Sequence, residues 1–135
     1  MDTQEFLSFV HDRFLEKGWR VTAGVRNISE ILSGQERFLS VQDIEKALII
    51  KNRPVDTVTV YRILSKLSEV RLVHEFEGKW HHEQDPGNPL KGHFLICDET
   101  NWAEEIHLDY FDSIAKQLAR EKGFLLREVR MAFYG

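Results

Sequence analysis

The residues best suited to chemistry lie in one run, Val55-Asp56-Thr57-Val58-Thr59-Val60-Tyr61-Arg62-Ile63-Leu64-Ser65-Lys66-Leu67. Val60, Ile63, Leu64 and Leu67 recur at the 3, 4 and 7 spacing of one buried helix face. Asp56 or Thr57 suits the cap, since a short side-chain oxygen can accept from the free N–H groups of a first turn. Thr57, Thr59, Tyr61, Arg62 and Lys66 fall largely on the other sides. Hydroxyl, phenol and cationic groups on a helix packed from behind are what reading a DNA major groove requires. Taken alone, the run fits an ordinary amphipathic helix with a solvated face equally well. No nucleophile–base pairing and no phosphate-cradling glycine loop is visible, so an enzyme is not expected. Cys97 is the only cysteine. That excludes an intrachain disulfide and a cysteine-based zinc cluster within one chain. Beside Ile96 it reads as a small buried hydrophobe rather than a redox sensor.

The elements around this run can be read in order. Residues 3–17 place Phe6, Phe9, Val10, Phe14 and Leu15 on a helical stripe that stops at Gly18. A second helix spans about 23–32, with Val25, Ile28, Ile31 and Leu32 inward and Gly34 at its end. Ser40 caps a third helix with Asp43 in its first turn, and Val41, Ile44, Ala47 and Leu48 form its buried stripe. A turn at Lys51-Asn52-Arg53-Pro54 leads into the candidate recognition helix. The period then changes: 72–76 and 80–83 read as strands joined by a tight turn at 77–79. Helices followed by a β-hairpin give the winged helix-turn-helix layout, with Lys79 near the hairpin tip.

Two prolines and two glycines within residues 84–92 mark a linker. Strands follow at about 93–97 and 103–107, then a helix at 109–122 with Phe111, Ile114, Ala115 and Leu118 inward and Gly123 as its stop. A last strand spans 124–134, with Leu125, Val129, Met131 and Phe133 on one face. The expected fold class is α+β: an N-terminal winged helix-turn-helix domain (1–83), a linker (84–92) and a small α/β (β-β-α-β) dimerisation domain (93–135). The second domain is too small to hide both sheet faces alone, so a homodimer is expected through it.

Composition narrows the partners. The chain has 135 residues, 42% hydrophobic and 30% charged, as in a soluble globular protein. No run of about 18 apolar residues exists to span a membrane. The acidic start, Met1-Asp2-Thr3-Gln4-Glu5, lacks the basic opening of a signal peptide, and a cytoplasmic location is expected. The net charge of −4 is unevenly spread, because the acidic excess falls after residue 80. Residues 46–71 instead carry Lys46, Lys51, Arg53, Arg62, Lys66 and Arg71 against Asp56 and Glu69. Phosphate contacts need local positive charge, not a basic protein overall.

These residues resemble the ferric uptake regulator family of metal-responsive repressors, as a divergent member lacking the cysteine-zinc site. The matches are Arg20-Val21-Thr22 entering the second helix, Leu39-Ser40-Val41-Gln42-Asp43-Ile44 opening the third, and Thr59-Val60-Tyr61-Arg62-Ile63-Leu64 in the recognition helix. Leu67, Leu72-Val73, Phe94-Leu95-Ile96-Cys97, Glu105 and Tyr134-Gly135 continue the match. The resemblance implies a repressor that binds palindromic double-stranded DNA operators as a homodimer. Tyr61 would meet a base edge or thymine methyl, Arg62 a phosphate or base, and Thr59 the phosphates at the helix start. Thr57, Lys66, Arg53, Lys79 and Arg20 complete the expected DNA-binding set. The family carries an arginine where this chain has Val25, and Arg26 sits one position on.

The resemblance also implies a divalent transition metal (zinc, iron or manganese) between the domains, with Glu83, His93 and Glu105 as its ligands. His81, His82, His107 and Asp112 are substitutes nearby. Phe38 or Leu39 stands where the family has a histidine, and His93 is one strand residue out of the family's register. In the family's second site Asp112 aligns as a carboxylate, His93 falls at an aspartate position, and Glu128 is adjacent to a lost ligand. Two other readings stay open. One is a divergent member that binds DNA independently of metal, and the other is a winged-helix protein-interaction module.

Overall fold

The computed structural model describes residues 1–87, 93–106, 108–127 and 129–135. The expected linker residues 88–92, together with His107 and Glu128, lie outside the described residues. The chain divides into two compact units, residues 1–86 and 87–135.

In the first unit, helices α1 (Thr3–Lys17), α2 (Ala23–Ser33), α3 (Val41–Ile50) and α4 (Thr57–Glu69) surround a core that a three-stranded sheet closes. That sheet contains β1 (Leu39–Ser40), β2 (Val73–Phe76) and β3 (Lys79–His82), in the order β1-β3-β2 with antiparallel pairing. The two-residue β1 was not expected, being too short to carry an alternating pattern. The hairpin turn puts Glu77 and Gly78 at φ 52° and 78°, the doubly left-handed geometry that suits a two-residue turn to strand twist.

Helix starts follow the capping logic. The Ser40 hydroxyl accepts from the Asp43 N–H at 3.1 Å, and the Asp43 carboxylate accepts from the Ser40 N–H at 3.0 Å. Both donors would otherwise be left without a partner at the start of α3. Thr22 caps α2 by accepting from the Val25 N–H. Asp56 occupies the cap position of α4 but makes no capping hydrogen bond, and Thr57 instead donates to Glu45 at 2.9 Å. The expected stripes of α2, α3 and α4 are inward, as is that of α1 except for Leu15, which is exposed. Val60, Ile63, Leu64 and Leu67 fix α4 from beneath, each contributing about 1.5–3 kcal/mol through apolar burial.

The second unit is a sheet of β4 (His93–Ile96), β5 (Ala103–Ile106) and β6 (Met131–Tyr134) with helix α5 (Asp109–Lys122). The central β4 runs antiparallel to β5 and parallel to β6. Two expectations are corrected. The last strand is confined to 131–134, leaving Leu125 exposed. Helix α5 buries Asp112 and Ala119 and leaves Ile114 and Leu118 exposed, so its inner face is not the larger apolar stripe. No described helix is long and apolar enough to cross a membrane.

The reciprocal cap on α3 gives a direct stability test. Ser40→Ala should lower unfolding free energy by about 1 kcal/mol, and Ser40→Asp should retain most of it, as read by urea denaturation.

Candidate nucleic-acid interface and metal centre

The outward face of α4 carries Val58, Tyr61, Arg62 and Ser65, all exposed, at the 3, 4 and 7 spacing that complements the buried stripe. Tyr61 is 51% exposed, yet its ring meets Trp80 of β3 edge-on with centroids 6.1 Å apart. The recognition candidate therefore touches the wing. Val58 is 63% exposed; sequence reasoning passed over it because it was sought only among polar groups. An exposed apolar side chain here suits a thymine methyl.

The other expected DNA-binding residues divide. Arg62, Arg53 and Arg20 are exposed. Thr59 is half-buried beside Asp56, and its hydroxyl is the main cause that holds the Asp56 carboxyl below its ordinary value. Lys66 is half-buried with its ammonium over the Trp19 ring at 5.4 Å. Lys79 opens β3, is half-buried and has a partner of its own. Thr57, bonded to Glu45, is not free to donate elsewhere without exchanging that partner.

The candidate metal ligands fall into separate groups. In the wing sheet, the register pairs His74 with His81 and Val73 with His82. His74, His81, His82 and Glu83 are all buried. His74 Nε2 meets Glu83 Oε2 in an ion-pair contact, while Glu83 Oε1 accepts from the Asp85 N–H at 2.8 Å. His74 is a residue that sequence reasoning missed; the cue was a histidine whose strand pairing brings it beside Glu83.

His81 and His82 stack on each other at 4.6 Å, with Phe38 against His81 and Phe6 against His82. Burial pushes both imidazoles down, His82 to about 4, so both are neutral near pH 7. The His81 ring nitrogens face the carbonyls of His82 (2.8 Å) and Glu36 (3.2 Å). A neutral ring donates to one of these at a time. Phe38, in place of the family's histidine, is thus packing for His81.

In the second unit His93 is fully buried, with Nε2 3.3 Å from Asp112 Oδ1. The approach lacks hydrogen-bond alignment, and among the described residues both His93 nitrogens and this Asp112 oxygen have no hydrogen-bond partner. Buried polar atoms are almost always hydrogen-bonded, so the chemistry of this donor set fits a cation. Glu105 does not join it. It pairs with Phe94 in the register, one residue from His93, and so projects from the opposite face of the sheet. Among the described residues no group of three or more His, Cys, Asp or Glu side chains is gathered closely enough to hold a metal. Cys97 is half-exposed rather than buried, and the Thr100 hydroxyl draws its thiol below the ordinary value.

A helix with a buried apolar stripe and an exposed reading face beside a three-stranded wing defines a winged-helix DNA-binding protein, here followed by a small α/β unit. The model of the "Ferric uptake regulator family" matches residues 16–134, and the chain belongs to that family, whose members are transcription regulators and not enzymes. It is 30% identical over 123 residues to the "Ferric uptake regulation protein" of Cupriavidus metallidurans, covering 87% of this chain and 84% of that protein. With the protein of the same description from Synechococcus elongatus it shares 26% over 124 residues, covering 89% and 84%. Among solved structures it is similar to a zinc uptake regulator complexed with zinc and DNA, at TM-score 0.82 and 25% identity, covering 100% of this chain and 92% of that one. It is also similar to the Pseudomonas aeruginosa ferric uptake regulator with manganese, at TM-score 0.66 and 25% identity, covering 93% and 95%.

The exposed face of α4 can be tested on DNA selected from a random pool by the wild-type protein. Tyr61→Ala and Arg62→Ala should each cost about 1–3 kcal/mol of binding, roughly 5- to 150-fold in affinity by fluorescence anisotropy, with the melting temperature little changed. Unaltered affinity in both would remove α4 as the reading element.

Proposed function

We propose that this protein is a dimeric, sequence-specific DNA-binding repressor whose operator affinity responds to a divalent transition metal. The observation that carries it is the His93–Asp112 pair: a buried imidazole and a carboxylate oxygen that face each other with no hydrogen-bond partner among the described residues, inside a member of a metal-responsive family. His93 and Asp112 would hold the cation in the second unit, and His74 with Glu83 form a second imidazole–carboxylate pair in the first. Each pair supplies two donors, with water or further ligands completing the shell. The similar structures contain zinc or manganese, and an N/O donor set accepts either, as it does iron. A bound cation supplies positive charge to buried carboxylates. The chain's own part is to hold those carboxylates and imidazoles in place.

DNA recognition is assigned to the α4 face, each protomer reading half of a palindromic operator, with half-sites about one helical turn apart. Dimerisation is assigned to the second unit. Tyr110, Ile114 and Leu118 form an exposed stripe along α5 that the chain's own sheet leaves uncovered, which suits a second copy.

A specific observation also favours metal-independent binding. Both Glu83 carboxylate oxygens have protein partners, His74 and the Asp85 N–H, which satisfy the carboxylate within the first unit.

The two readings separate in one experiment. Metal control predicts bound metal in the purified protein and a tenfold or greater loss of operator affinity with chelator, restored by zinc, iron or manganese. His93→Ala and Asp112→Asn should lower metal content and abolish the chelator response. Chelator-insensitive binding by the wild type would overturn metal control and leave the DNA assignment standing. For assembly, Leu118→Glu should shift the sedimenting species from dimer to monomer.

A further inference from the structure

We propose that a cleft between the first turn of α2 and the loop joining α3 to α4 binds a DNA backbone phosphate, with Arg26 and Arg53 as its cationic arms. This rests on the DNA-binding reading and adds a contact that the α4 face does not supply. The cleft, about 340 Å³, is lined by Val21, Thr22, Ala23, Arg26, Asn27 and Arg53. Two guanidinium groups border it and no carboxylate does.

Arg20, one residue before Val21, is exposed as well, whereas three other basic side chains of the unit are engaged structurally. Lys51 is paired with Glu30 at 3.7 Å, Lys66 lies over Trp19, and Arg13 donates to the carbonyls of Val70 and Pro86. Arg26 and Arg53 are exposed, and among the described residues neither guanidinium is engaged in a hydrogen bond or an ion pair.

Local structure holds both arginines at the cleft. Val25 takes the buried position on α2, which turns Arg26 outward by about 100°. Gly24 lets the first turn of α2 approach α4 closely: a Cβ there would lie 3.3 Å from Ile63 Cδ1 and 3.8 Å from Val55 Cγ2. Asn52 adopts φ 57°, and the Arg53 N–H donates to the Leu48 carbonyl at 2.8 Å, so the loop carrying Arg53 is pinned to the end of α3. Two guanidinium forks from different elements, with the Asn27 amide at the same cleft, suit the two non-bridging oxygens of a phosphodiester. Inorganic phosphate offers the same oxygens, so the experiment must separate the two.

The test uses the full chain and two duplexes of roughly 30 base pairs, one of mixed sequence and one selected operator, titrated across a salt series. Arg26→Ala and Arg53→Ala should each weaken binding several-fold on both duplexes alike. Each should also lower the slope of log affinity against log salt by about one. Arg26→Gln guards against a packing effect of truncation and should behave as Arg26→Ala. Tyr61→Ala, in contrast, should reduce operator preference and leave the slope in place. An unmoved slope in both arginine variants, with wild-type DNA binding intact, overturns the phosphate site and spares the DNA-binding reading. Failure of the wild type to bind either duplex overturns both. Arginine-dependent inorganic phosphate binding with an unmoved DNA slope assigns the cleft to free phosphate, against the proposal.

Discussion

A carboxylate with 4% of its surface exposed has to be met by compensating groups, and the first unit is arranged around meeting Glu83. An unmatched buried charge costs several kcal/mol. His74 and the Asp85 N–H take its two oxygens, while its own N–H donates to the Leu72 carbonyl. These bonds tie the end of β3 to the start of β2 and close the wing. Arg13 then spans two carbonyls, Val70 and Pro86, at the end of α4 and just beyond the wing. Removing either partner of Glu83 therefore disturbs the edge of the unit that carries the recognition helix.

The same economy governs the basic residues. A local excess of positive charge around α4 looks in sequence like one patch, but the structure divides it by partner. Lysines that stack on Trp19 or pair with Glu30 hold the framework. Arginines that the framework leaves exposed remain available to an external anion. The division follows from chemistry as well as position, since a guanidinium keeps its charge and offers a planar fork where an ammonium offers a point charge.

How much was legible depended on the kind of signal. The helices of the first unit were readable because capping residues and the 3, 4, 7 spacing agree, as in Ser40 with Val41, Ile44 and Leu48. Periodicity reveals that a helix has an apolar face but not what covers it. Hence α5 was assigned Ile114 and Leu118 as inward when Asp112 and Ala119 are buried. His74 was missed because its role comes from cross-strand register, which a linear reading of β2 does not display. His93 and Glu105 were grouped as ligands from the family resemblance, and one residue of strand register puts them on opposite faces of the sheet. Its proximity to Asp112 arises from a helix folding back over the sheet, beyond any local pattern.

The edge contact between Tyr61 and Trp80 joins α4 to the middle strand of the wing sheet, which is itself paired on both sides. Helix and hairpin are thus braced against each other within one unit. Under the proposed DNA-binding role, such a braced head would leave misfit to be absorbed by bending the DNA, and the stiffness of base pairs that the protein never touches would then enter its selectivity.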